Sequence, residues 1–205
     1  NSADVARLLA EPTAENRAMA ATKVSEQFKA GNLSAEERKI AEEIFKIMVR
    51  DAEVRVREAL AESLKNSNSI SHEIAISLAN DVAEVSVPML KFSEVLTDDD
   101  LVEIIKSQGA DVQVAVASRS SVSANLADHI VENSKNAGVV ATLMNNEGAN
   151  LDEGTMDKAL DKYGDDETVN IPMAKRSQLP IKVAERLVTL VSEQVRDHLV
   201  THHEM

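Results

Sequence analysis

The sequence predicts an all-α protein built from short antiparallel helix pairs stacked as an irregular repeat. Three observations carry this reading. Apolar residues recur at helical spacing along almost the whole chain, punctuated by capping residues. No segment sustains the period-two alternation, rich in β-branched and aromatic residues, that a strand needs, so essentially no strand is expected. One block of sequence returns downstream with its helical context intact.

The elements follow from their punctuation. Ser2 caps a short helix that ends before Glu11-Pro12, and a second helix runs from about Thr13 to Ala30, stopped by Gly31. Ser34 with Glu37 spells a capping box, in which the hydroxyl accepts one N–H and the carboxylate another. The helix it opens carries Ile40, Ile44, Ile47 and Met48 on one face. Asp51 restarts the chain into a helix striped by Val54, Ala61 and Leu64, with Leu60 beside them. A polar run, Asn66-Ser67-Asn68-Ser69, precedes a helix over about 71–80. The next, over 83–93, contains Pro88, which should sit in a first turn or at a kink. Thr97 and three aspartates open a further helix, the acids placed against the positive end of its dipole. Later helices are expected over 111–119, 123–134, 137–145, 152–162, 166–175 and 180–200. Residues 1–33 read as N-terminal helices and 34–205 as the helical-repeat domain, the two forming one continuous array.

Composition narrows the chemistry. Apolar residues make up 43% of the chain but aromatics only 2%, so the core must be Ala, Val, Leu and Ile, which lets helices approach closely. The formal charge of −13 opposes phosphate binding, and aromatic stacking platforms are scarce; neither nucleic acid nor an anionic membrane is an expected partner. There is no cysteine, hence no disulfide, thiolate-zinc site or cysteine nucleophile. No apolar run nears the roughly 18 residues of a membrane span, and no signal-peptide pattern opens the chain. The expected compartment is the cytoplasm.

The repeat is visible by eye. Ala117-Ser118-Arg119-Ser120-Ser121-Val122 returns as Ala174-Lys175-Arg176-Ser177-Gln178-Leu179. The helices that follow agree as well: Leu126-Ala127-Asp128-His129-Ile130-Val131 matches Val183-Ala184-Glu185-Arg186-Leu187-Val188. The spacing suits two units of about 28 residues, with Leu143-Met144-Asn145-Asn146 as the copy between them. Each unit is a helix, a polar turn and a second helix. Neither helix can bury its apolar face alone, so stacking makes the core.

The runs Phe92-Ser93-Glu94-Val95-Leu96-Thr97-Asp98-Asp99-Asp100-Leu101-Val102, Val116-Ala117-Ser118-Arg119, Leu143-Met144-Asn145-Asn146-Glu147-Gly148-Ala149 and Ala174-Lys175-Arg176-Ser177-Gln178-Leu179-Pro180 resemble a bacterial family. It is known as a domain of unknown function, number twenty-three thirty-six in its series. The resemblance runs from about residue 35 onward. It implies a HEAT-like α-α superhelix in an alphaproteobacterial protein, and it implies no activity. One departure is the doubled Asn: either Asn145 or Asn146 takes the family position.

Arg119, Asn145 and Arg176 are the candidate binding residues, because they recur at one repeat position and Arg grips carboxylates through a planar fork. The same recurrence suits a structural part, in which they tie helix ends or join one repeat to the next, and that reading is the stronger. Asp98, Asp99 and Asp100 read as a helix start and not as a cation site. Asp161, Asp165, Asp166 and Glu167 lack the alternation and central Gly of a calcium loop. His198 and His202 are four apart, a spacing that can hold zinc, but they sit at a chain end. No nucleophile elbow or Gly-rich phosphate loop occurs, and no catalytic residue, metal or cofactor is expected. The last helix has a seam of Ile181, Ala184, Val188, Val191 and Val195, with Val183, Leu187 and Leu190 beside it. So wide an arc is expected to pack on a further repeat or on another protomer, giving a homo-oligomer. These observations lead to a cytoplasmic protein–protein interaction or scaffold module, not an enzyme. The alternative is a small-ligand binder or enzyme using a groove between helices.

Overall fold

The computed structural model describes residues 12–191. Those residues form twelve α-helices and contain no strand, apart from one isolated parallel bridge between Val122 and Ala149. The all-α expectation therefore holds. The helix opened by Ser2, residues 192–200 of the last expected helix, His198 and His202 lie outside the described residues. The chain divides between Thr97 and Asp98 into two compact units.

In the first unit, α1 (Ala14–Lys29) is capped by the Thr13 hydroxyl and ends at Gly31, whose φ of 73° is left-handed and suits a residue without Cβ. The predicted capping box opens α2 (Ala35–Met48): Glu37 N–H donates to Ser34 Oγ, and Ser34 N–H donates to the Glu37 carboxylate at 2.8 Å. Then come α3 (Val54–Leu64), α4 (His72–Ala79) and α5 (Ala83–Phe92). Helix α3 lies between α1 and α5; α2 rests on α1 and α3, and α4 on α5.

One apolar face is rotated from expectation and one differs at its first residue. Helix α2 buries Ala41, Phe45 and Met48, while Ile40 and Ile47 are 59% and 74% exposed. The cause is an aromatic anchor: the Phe45 ring meets Phe28 of α1 edge-on at 5.3 Å, and small Ala41 lets the backbones close up. In α3 the buried set is Val56, Leu60, Ala61 and Leu64, and Val54, at the helix start, is exposed. Pro88 lies in the interior of α5, not in its first turn, and Pro172 recurs inside α11 (Glu167–Ala174).

A chain of charge links the odd-numbered helices of this unit. Arg17 grips Asp51 through two bonds of 2.7 and 3.0 Å. Arg57 grips Asp81 in the same way at 2.6 and 2.9 Å, and its third donor reaches the Asp51 carbonyl at 2.7 Å. The Arg17 hydrogen bond holds the Asp51 carboxyl below its ordinary range; for Asp81, burial opposes ionisation but the bonds from Arg57 and the Val82 N–H outweigh it. Both folded pKa values are depressed, so their stabilisation is present above the ordinary carboxylate range, near pH 4, and is lost as pH falls through it. Replacing both aspartates by Asn is therefore expected to lower the melting temperature at pH 7, and the gap from the wild type should narrow as pH falls below the ordinary carboxylate range. A gap independent of pH in circular-dichroism melts would remove the ion pairs as its cause.

The second unit contains α6 (Asp98–Ser107), α7 (Ala110–Ala117), α8 (Ala124–Asn133), α9 (Ala137–Asn145), α10 (Glu153–Tyr163), α11 and α12 (Ile181–Leu190). It has two layers. Helices α7, α9 and α11 pack in sequence as one, and α6, α8, α10 and α12 pack in sequence as the other. Each helix of one layer also packs on its chain neighbour in the other, so the core lies between the layers. Ser123, Asn136, Asp152 and Asp166 cap α8 to α11 in turn. On α12 the buried centre is Val183, Ala184 and Leu187, packed on α10 and α11, while Ile181 is exposed.

Candidate interaction face and the ties between repeats

In the first layer, the repeat position seen in sequence carries a backbone tie. Asn146 Nδ2 donates to the carbonyls of Ala117 and Arg119, 29 and 27 residues back, both at 2.8 Å. Arg176 Nη1 donates to the carbonyls of Met144 and Asn146, 32 and 30 residues back, at 3.0 and 2.9 Å. Each side chain thus reaches the matching pair of carbonyls in the preceding repeat, where the end of a first-layer helix leaves acceptors without intrahelical donors. Arg176 Nη2 adds the Ala149 carbonyl at 2.8 Å. The guanidinium is buried, and burial pushes its pKa down against the opposing pull of Glu147.

The doubled Asn is resolved by these bonds. Asn146 occupies the position of Arg119 and Arg176, and its Oδ1 also accepts the Gly148 N–H at 2.9 Å. Asn145 is exposed and donates only within its own helix, to the Ala141 carbonyl at 2.9 Å. The bridge lies beside this tie: Val122 N–H donates to Gly148 O at 3.1 Å, and Asn150 N–H donates to Val122 O at 2.9 Å. Of the three sequence candidates, Arg119 is half-buried at the end of its helix, Asn145 faces outward and Arg176 lies inside the stack. They stand at successive repeats and do not converge on one pocket.

The second layer has its own ties, built from side-chain charge. His129, Lys158 and Arg186 follow buried Ala127, Met156 and Ala184 at the same interval in α8, α10 and α12. Lys158 donates to both oxygens of Asp128 on the preceding helix, at 2.8 and 2.7 Å. Arg186 reaches back in the same way to Asp157 and Asp161, each at 2.7 Å. Glu103 of α6 pairs with Lys106 of its own helix at 2.8 Å, which holds its carboxyl below the ordinary range, with a smaller pull from His129. Lys182 pairs with Glu153 at 3.1 Å, and Lys162 donates to the Val131 and Glu132 carbonyls at the end of α8, both at 2.7 Å. The aligned sequence blocks place His129 opposite Arg186, but only stacking shows that Lys158 and Arg186 each meet an acid one helix earlier.

These rungs occupy the Lys and Arg side chains of α10 and α12, while Lys106 pairs with Glu103 within α6. Exposed Asp99 of α6 and Glu185 of α12 have no ion pair among the described residues, and Glu132 of α8 has only His129, at 3.8 Å. An open hollow of about 560 Å³ lies between the α10–α11 turn and α12. Asp161, Asp165, Asp166 and Glu167 line it, together with Lys162, Tyr163 and Arg186. Among the described residues no group of His and acidic side chains is arranged to hold a metal, and no helix is long and apolar enough to cross a membrane.

No curated protein and no solved structure matches the chain. Residues 85–205 match the model of a family described as "Uncharacterised protein conserved in bacteria (DUF2336)", a shorter span than the resemblance from residue 35 suggested. The matched span begins in α5 and takes in every repeat that carries the ties between repeats, and more than half of the chain lies within it: the protein belongs to this bacterial DUF2336 family.

Proposed function

We propose that the chain is a cytoplasmic protein–protein interaction module, with a HEAT-like stack of helix pairs, whose partner presents a basic surface. One observation carries this reading: the Lys and Arg side chains of α10 and α12 are spent on ties between helices and Lys106 on Glu103 of its own helix, so that Asp99, Glu132 and Glu185 remain outward as a surplus of carboxylates. Such a surface speeds encounter with a positively charged partner and discriminates against acidic ones. Repeated helix pairs extend the face without needing an enclosed pocket. The hollow beside α12 supports a small-ligand reading less well, since its arginine is already committed to Asp157 and Asp161.

The test is affinity capture of the full-length protein from its native cells, with mass spectrometry of what accompanies it. A stoichiometric partner with a basic surface, lost when Asp99, Glu132 and Glu185 are each replaced by Lys, is the expected outcome. Absence of any partner, or one retained by the charge-reversed protein, overturns the proposal; thermal-shift screening of metabolites then tests the hollow.

A further inference from the structure

The most apolar stripe of α2 is the one its own unit leaves uncovered. Ile40, Ile44 and Ile47 fall on one line of the helix at the spacing that brings side chains together. Ile40 is 59% exposed, Ile47 74%, and Ile44 lies half-buried between them. Isolated exposed apolar residues are ordinary, but a row of three isoleucines on one ordered helix is not. The Phe28–Phe45 contact fixes the rotation of α2 and the Ser34–Glu37 box fixes its start, so the stripe is presented on a rigid support.

The flanks identify what would cover it. At 100° per residue, Glu36 and Glu43 border the stripe on one side, where Lys46 pairs with Glu43 at 2.9 Å, and Glu37 borders it on the other, all three acids exposed. The Glu37 carboxylate accepts the Ser34 N–H, which keeps it ionised. A second copy of α2 laid parallel on this face would set Glu36 and Glu43 against Glu37. A helix with apolar residues at the same spacing and Lys or Arg on its flanks would bury the isoleucines and meet the carboxylates with opposite charge.

We infer that α2 is a docking site for an amphipathic, basic-flanked helix of another protein, with Ile40, Ile44 and Ile47 as its apolar floor and Glu36, Glu37 and Glu43 as its charged rim. This surface belongs to the first unit and is independent of the carboxylate face proposed above.

The probe is a synthetic helical peptide with leucines at the matching spacing and lysines on both flanks, titrated by fluorescence anisotropy against the full chain. Its control is the same peptide with glutamates for lysines. The lysine peptide should bind saturably and the glutamate peptide should not. Ile40→Asn with Ile47→Asn should weaken binding at least about tenfold, equivalent to about 1.4 kcal/mol. Glu36→Lys with Glu43→Lys should weaken it by a similar factor. All four positions are exposed, so melting curves of both variants should match the wild type. The Asp99, Glu132 and Glu185 reversals should leave peptide affinity unchanged, which separates this site from the other face. Undiminished binding to the isoleucine variant overturns the inference, because it reduces the effect to general acidity. So does equal binding of the glutamate peptide, or a wild-type dimer in sedimentation that the isoleucine variant dissociates.

Discussion

Replacing Arg176 by Met should cost the second unit about as much stability as truncating a buried core side chain. Met keeps the apolar stem and removes the donors, leaving the carbonyls of Met144, Asn146 and Ala149 without the guanidinium in a buried setting. At roughly 1–3 kcal/mol for each buried polar group left unsatisfied, and with some relief from water, a net loss of about 3 kcal/mol is expected. For a chain of this size that is a drop of roughly 6–12 °C in melting temperature. Arg176→Lys should recover only part of it, since an ammonium group cannot reproduce the planar fork across three acceptors. Calorimetry of the three proteins decides the matter. An unchanged melting temperature for Arg176→Met would show that the side chain is not a tie, and would return it to the pool of binding candidates.

Gly148→Ala is expected to be nearly as damaging, for a steric reason. A Cβ at this position would lie 2.1 Å from the Ser120 carbonyl oxygen and 3.0 Å from its carbon. The obstacle is backbone, held by the Val122–Ala149 bridge, so it cannot swing aside as a flexible side chain would. Relief requires opening the bridge and loosening the Asn146 tie beside it, at a cost of about 2–4 kcal/mol. Gly154→Ala is the contrasting substitution: its Cβ would meet only Asp152 Oδ1 at an ordinary 3.5 Å, and it lies inside α10. Ala there should stabilise by about 0.5–1 kcal/mol through reduced freedom of the unfolded chain. Urea unfolding of both variants tests the pair, and equal effects would contradict the close approach at Gly148.

Much of the fold was legible because it is local. The Ser34–Glu37 box, the hydroxyl cap of Thr13, the carboxylate caps of Asp152 and Asp166 and the stop at Gly31 all act within a few residues. The position shared by Arg119, Asn146 and Arg176 was also visible, though not which of two adjacent asparagines held it. Asn145 and Asn146 have identical chemistry, and the difference is whether the side chain points along its own helix or across to the Ala117 and Arg119 carbonyls.

By itself, then, the sequence determined the helical class, most helix limits though not the end of α12 at Leu190, where a helix to residue 200 was expected, the repeat and the family, since hydrogen-bond patterns and caps depend on neighbours a few positions away. Tertiary packing alone decided which stripe of α2 is buried, because Phe45 against Phe28 outweighs three isoleucines that periodicity favours equally. Packing also decided that Arg176 lies inside the stack and that Lys158 and Arg186 reach back to Asp128 and Asp157. Those partners lie 27 to 32 residues apart in the chain, and only the stacking of one helix on another brings them within hydrogen-bond reach.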